Sequence, residues 1–187
     1  MKVIQIRGSN GAGKTTIVRQ FVQKNNLQIK EINVKGKQTY ISIDESGRLV
    51  ALGRYDKKTG GCDLYDNTEH VLNTIIWVIT NIKPKIILFE GMIYSLSFAF
   101  AKKVSDLVQE YNYKYLSISL YTNFDVVLAR IYKRNGGKEI KENLILDKIN
   151  SIIKSHKKLK ESGYNARMID TSEINEEDMY KIIEGEI

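Results

Sequence analysis

One cysteine, one proline and two histidines occur in 187 residues, and no apolar run approaches the ~20 residues that a membrane-spanning helix needs. The lone Cys62 excludes an internal disulfide framework and a cysteine-based zinc site. It has no neighbouring histidine to activate it, so it reads as a small packing residue. Of the histidines, His70 is expected on a solvated helix face. His156 shares a face with Ile145, Ile149, Ile152 and Ile153, which predicts a satisfied, partly buried ring. No repeat, linker or low-complexity block interrupts the chain, so a single domain over 1–187 is expected. The first residues enter a strand at once and leave no room for a signal peptide, and the lone thiol suits the cytoplasm.

Hydrophobic residues make up 42% and charged residues 27%, ordinary for a globular chain. The net charge of +7 is unusual. It fits a nucleic-acid partner through phosphate neutralisation, and it equally fits lysine-rich usage without such a partner. The cluster Lys154, Lys157, Lys158 and Lys160 reads as a solvated helix surface.

Against this background one stretch stands out. Gly8-Ser9-Asn10-Gly11-Ala12-Gly13-Lys14-Thr15 satisfies the phosphate-binding pattern G-x-x-x-x-G-K-[S/T]. An apolar strand precedes it, and Ile17, Val18, Phe21 and Val22 follow at helical spacing. Glycines let the backbone curl so that N–H groups face an anion, and the helix start adds its positive end. Gly8, Asn10, Gly11, Ala12, Gly13 and Thr16 are therefore assigned to nucleotide binding. Lys14 is assigned to the β- and γ-phosphates of ATP, and Thr15 to Mg²⁺.

Strands and helices alternate along the chain, which predicts one doubly wound α/β domain. Strand patterns cover 28–34, 38–44, 48–53, 85–90, 115–121 and 166–170. Glu45-Ser46-Gly47 reads as the turn of a β-hairpin near 38–53, with Asp44 serving that turn. Helices are expected over 66–80, over a long stretch from Leu96 to Tyr111, over 124–134, over 141–161 and after Thr171 or Ser172. Asn135-Gly136-Gly137 closes the third of these.

Glu90 ends a continuous apolar strand, where a neighbouring acid supports Mg²⁺ or contacts the substrate. Arg130 and Arg134 lie four apart on one helix before a glycine hinge, as in a lid at about 130–140 that closes over the transferring phosphoryl group. Earlier in the chain, Gly53-Arg54-Tyr55-Asp56 and Gly60-Gly61-Cys62-Asp63 form a polar loop suited to an acceptor. Either Asp56 or Asp63 takes the proton of an attacking hydroxyl. Tyr55 offers a stacking face, Arg54 a phosphate clamp, and Gly60 and Gly61 flexibility around the substrate.

The phosphate loop, the acid-ended strand 86–90 and the Arg130-xxx-Arg134 pair resemble the phosphate-loop (P-loop) kinase family of nucleoside and nucleotide kinases. That resemblance implies a five-stranded, mainly parallel sheet of order 2-3-1-4-5 and transfer of the ATP γ-phosphoryl group. The stretches 53–56 and 60–63, with Phe89-Glu90-Gly91 and Arg134-Asn135-Gly136-Gly137, are similar to bacteriophage kinases of DNA hypermodification. Those enzymes phosphorylate 5-hydroxymethyluracil in DNA, which would place the protein in the cytoplasm of an infected host. The alternatives are a kinase for free nucleoside monophosphates and a nucleotide-driven switch without a phosphoryl acceptor.

Overall fold

The computed structural model describes residues 1–57 and 61–187, with Ile93 by its backbone alone. Among the described residues seven strands form one sheet: β1 Lys2–Gly8, β2 Gln28–Val34, β3 Lys37–Ile43, β4 Leu49–Leu52, β5 Ile86–Glu90, β6 Lys114–Tyr121 and β7 Ala166–Asp170. Their order is β2-β3-β4-β5-β1-β6-β7. The helices are α1 Lys14–Lys24, α2 Thr68–Asn81, α3 Met92–Leu96, α4 Phe98–Glu110, α5 Phe124–Asn135, α6 Glu142–Glu161 and α7 Lys181–Glu184. Two 3₁₀ turns, Gly61–Leu64 and Glu177–Tyr180, complete the set.

The sheet thus has seven strands rather than the expected five. Its parallel part runs β4-β5-β1-β6-β7, which in chain order is 2-3-1-4-5. The hairpin near 38–53 is no appendage, because its second strand pairs in parallel with β5 and belongs to that core. Val50, Ala51 and Leu52 are buried accordingly. β3 turns back antiparallel, and β2 pairs on β3 as an edge whose first four residues are exposed. Asp44 holds the turn, accepting from the Leu49 amide at 2.5 Å.

Alternation along β1 splits the core. Val3 faces α2 and α4, where Val71, Ile75, Val104 and Val108 are buried. Ile4 and Ile6 face α1 and the C-terminal turns through Ile17, Val18, Phe21, Met179 and Ile183. A third cluster joins Val127 and Ile131 of α5 to Ile145 and Ile149 of α6.

Two helices depart from the sequence pattern. The stripe from Leu96 to Tyr111 is interrupted because the Ser97 side chain accepts from the Phe100 amide, capping α4 and separating it from α3. After Thr171 the chain stays irregular until the turn at Glu177, and α7 is only four residues long. Ser172 instead donates to Asp170, and Asn175 caps Asp178, so local side-chain bonds compete with a helix start.

Candidate active site

β1 ends at Gly8, and the loop to α1 passes over the carboxyl edge of the sheet. Gly13 caps α1 at φ 96°, a left-handed conformation that side chains rarely adopt. The following residue, Lys14, is buried, and its Nζ donates to the carbonyls of Gly8 at 3.0 Å and Ser9 at 2.9 Å. Burial pulls its pKa down while the nearby Glu90 and Asp63 oppose that shift. Ala12 is fully enclosed, and its carbonyl accepts from Thr171 Oγ1 at 3.2 Å. Asn10, Gly11, Gly13, Lys14, Thr15 and Thr16 line a cleft of about 790 Å³, whereas Gly8 and Ala12 shape the loop from behind.

Glu90 closes β5 next to β1, facing this loop. Its Oε1 accepts from Thr15 Oγ1 at 3.1 Å, and its Oε2 is buried without a hydrogen-bond partner. Burial raises its pKa to about 7, against the pull of Lys14. A hydroxyl beside a carboxylate oxygen left unpartnered is a donor set that fits a hard divalent cation. Among the described residues no three His, Cys, Asp or Glu side chains form a cage.

The opposite side of the cleft is basic. Arg130, Lys133 and Arg134 of α5 all line it. Arg130 donates to the carbonyls of Gly11 at 3.4 Å, Thr171 at 2.8 Å and Ile174 at 3.2 Å, which ties α5 to the phosphate loop and to the segment after β7. Arg134 lies close enough to Lys14 to disfavour its charge, as does Lys148 of α6. Lys133 and Lys148 are contributors that helical spacing alone did not single out. Lys133 adjoins Arg134 in the chain, and Lys148 is one of many lysines on α6 whose position depends on how α5 and α6 pack.

The loop after β4 separates into two parts. Asp63, on the 3₁₀ turn, lines the cleft and accepts from the Met92 amide at 2.8 Å. Gly61 packs beneath it at φ 67°, where a Cβ would come within 2.6 Å of Glu90 Oε1 and 2.9 Å of the Tyr55 hydroxyl. Cys62 is buried, as a packing residue should be. Asp56 does not line the cleft: it forms an ion pair with Arg54, whose hydrogen bonds hold its carboxyl down at about 2. Tyr55 is buried, with its hydroxyl donating to Leu52 O at 3.1 Å, so it is no stacking face. Gly60 lies outside the described residues.

Both histidines differ from expectation, and Arg7 is a buried charge that no motif singled out. His70 is buried rather than solvated, bonded through Nε2 to Thr39 Oγ1 at 2.7 Å and stacked on Tyr65 at 4.7 Å. His156 is half-buried with a buried Nδ1 that has no partner. Arg7 is fully enclosed at the root of the phosphate loop, donating through Nη2 to Ser155 Oγ at 2.7 Å and Ser97 O at 3.2 Å.

The family described as 5-hmdU DNA kinase matches residues 2–180. The chain belongs to this family. Its relatives among 5-hmdU DNA kinases include one of Bacillus phage SP10, 32% identical over 181 residues, which cover 92% of this chain and 27% of the relative. Another, of Pseudomonas phage M6, is 28% identical over 174 residues, covering 90% of this chain and 91% of the relative. The chain spans about two thirds of the Salmonella phage ViI and Delftia phage PhiW-14 relatives, at 64% and 65%. A tunicamycin resistance protein of Deinococcus radiodurans aligns with 97% of this chain and 93% of its own at a TM-score of 0.53 and 15% identity. A fungal RNA kinase aligns with 99% of this chain and 43% of its own at a TM-score of 0.56 and 10% identity. Both likenesses concern the fold, which is that of P-loop kinases. As a 5-hmdU DNA kinase family member, the chain carries its phosphate loop, acid-ended strand and α5 cations within the matched span.

Proposed function

We propose that this protein transfers the γ-phosphoryl group of ATP to the hydroxymethyl oxygen of 5-hydroxymethyluracil in DNA. The reading is carried by one coincidence: the family match spans the phosphate loop and Asp63, which line the same cleft. The relatives' names describe that acceptor. Residues 1–187 act as one kinase domain, with 130–140 as its lid and the cytoplasm of a phage-infected host as the compartment that supplies ATP.

The backbone amides from Asn10 to Thr16 and the Lys14 ammonium bind the nucleotide phosphates. Thr15 and Glu90 hold Mg²⁺, which when bound offsets phosphate charge. Asp63 accepts the proton of the hydroxymethyl group as its oxygen bonds to the γ-phosphorus. The bond from that phosphorus to the β–γ bridging oxygen breaks, and ADP leaves. Arg130, Lys133 and Arg134 stabilise the charge spread over the transferring group.

The test uses γ-labelled ATP with hydroxymethyluracil-containing DNA, plain DNA, free nucleosides and mononucleotides. Label on the hydroxymethylated DNA alone supports the proposal. Label on mononucleotides alone replaces it with a monophosphate kinase, and label released only as phosphate replaces it with a nucleotide-driven switch.

A further inference from the structure

Behind the 3₁₀ turn that carries Asp63 lies a second concavity of about 500 Å³, built by β3 and the loop after β4. Its walls include Gln38, Tyr40, Arg54, Lys57, Leu64 and Tyr65. The Arg54 guanidinium lies over the Tyr40 ring at 5.1 Å. Asp56 fixes its plane with two hydrogen bonds, at 2.8 and 2.5 Å. Tyr65 donates its hydroxyl to Tyr40 O at 2.9 Å and stacks on His70, so this wall is braced from behind. Leu64 is 43% exposed, one of few large apolar side chains left in solvent. Lys57 adds a second cation, and no carboxylate lines the concavity among the described residues.

A flat cation–aromatic pair, an exposed leucine and an exposed lysine match an unstacked base and its phosphate. Position relative to the cleft adds to the chemistry. Asp63 lines the phosphate cleft and Leu64, the next residue, lines the concavity, so one turn is a wall of both. A strand with its reacting base beside Asp63 would cross this turn within a nucleotide or so.

We propose that this groove binds the nucleotide next to the acceptor in the DNA strand, its base stacked against Arg54 and Tyr40 and resting on Leu64, its phosphate at Lys57. The groove rests on the DNA-kinase reading above and extends it from the reacting base to the strand. It explains why Arg54 and Asp56 hold each other outside the cleft: the carboxylate orients the guanidinium rather than taking a proton.

The test compares the full-length wild type with Lys57→Ala combined with Leu64→Ala, both exposed positions. Acceptors are a hydroxymethyluracil-containing oligonucleotide, the same oligonucleotide with an abasic site on either side of the acceptor, and the hydroxymethylated mononucleotide. On the intact oligonucleotide the variant should show KM raised about tenfold with kcat unchanged, and a shallower dependence of DNA binding on salt. Neither protein should label the mononucleotide, and their KM values for ATP should agree. An abasic site on one side should weaken the wild type by a similar factor and leave the variant unaffected. Equal KM values for both proteins on the intact oligonucleotide overturn the groove while leaving the kinase reading in place. A wild type that labels no DNA at all overturns both. Arg54→Ala, which removes the cation from Tyr40, should raise the oligonucleotide KM in the same way.

Discussion

The Thr15 hydroxyl donates to Glu90 Oε1 at 3.1 Å, joining the start of α1 to the end of β5 across 75 residues of chain. Neighbouring parallel strands make this contact: Ile6 of β1 lies in register with Glu90, so the phosphate loop leaves the sheet beside that carboxylate. Glu90→Gln keeps the shape and removes the charge. It should weaken Mg²⁺ dependence about 10- to 100-fold, read as a rightward shift in a Mg²⁺ titration of activity, with metal-free nucleotide binding little changed.

Asp63 and Asp56 should separate in kinetics. Asp63→Asn is expected to lower kcat by about 10²- to 10⁴-fold with acceptor KM nearly constant, the signature of a lost proton acceptor. Asp56→Asn should leave kcat on hydroxymethyluracil-containing DNA within about twofold, because its carboxylate is paired with Arg54 away from the cleft. Steady-state rates on the same acceptor decide between them.

Gly61→Ala should damage both fold and site. Left-handed backbone there strains any side chain, and the new Cβ would press on Glu90 Oε1 and the Tyr55 hydroxyl. A loss of roughly 1–3 kcal/mol in unfolding free energy is expected, visible as a lower urea midpoint. Activity should fall further than stability explains, since the displaced oxygen is the one that Thr15 contacts.

His70 makes stability depend on pH. Burial holds its pKa below the ordinary imidazole value, with Asp66 opposing and Lys37 reinforcing the shift. The fold therefore prefers the neutral ring, and the unfolded chain binds more protons as pH falls through about 6.5. This contribution is complete above that value and is lost below it. Urea midpoints between about pH 5 and pH 8 should slope more steeply in the wild type than in His70→Gln.

The donor half of the site was legible because its signals are local. A fixed spacing of glycines, Lys14 and Thr15 needs only the strand before it and the helix after it. Glu90 was legible from an apolar run ending in an acid, which a parallel sheet buries. The loop 53–63 was not, because its described residues part ways: Asp63 lines the cleft, Arg54 and Lys57 line the second concavity, and Tyr55 is buried. Periodicity carries no information about that, so Tyr55 and Asp56 looked as available as Asp63. His70 was misplaced for a related reason: the wall that buries it is Thr39 of β3 and Tyr65, brought together by strand pairing. The antiparallel strands β2 and β3 had the right pattern, but pairing order is a property of the sheet.

The proposed acceptor is the hydroxymethyl oxygen of a base within DNA. It is tested most directly by labelling hydroxymethyluracil-containing DNA with γ-labelled ATP, digesting it to nucleosides and locating the phosphate. A nucleoside phosphorylated on its 5-hydroxymethyl group is expected, absent with Lys14→Ala. Label confined to strand termini or to free nucleotides, with the modified base unphosphorylated, would contradict it.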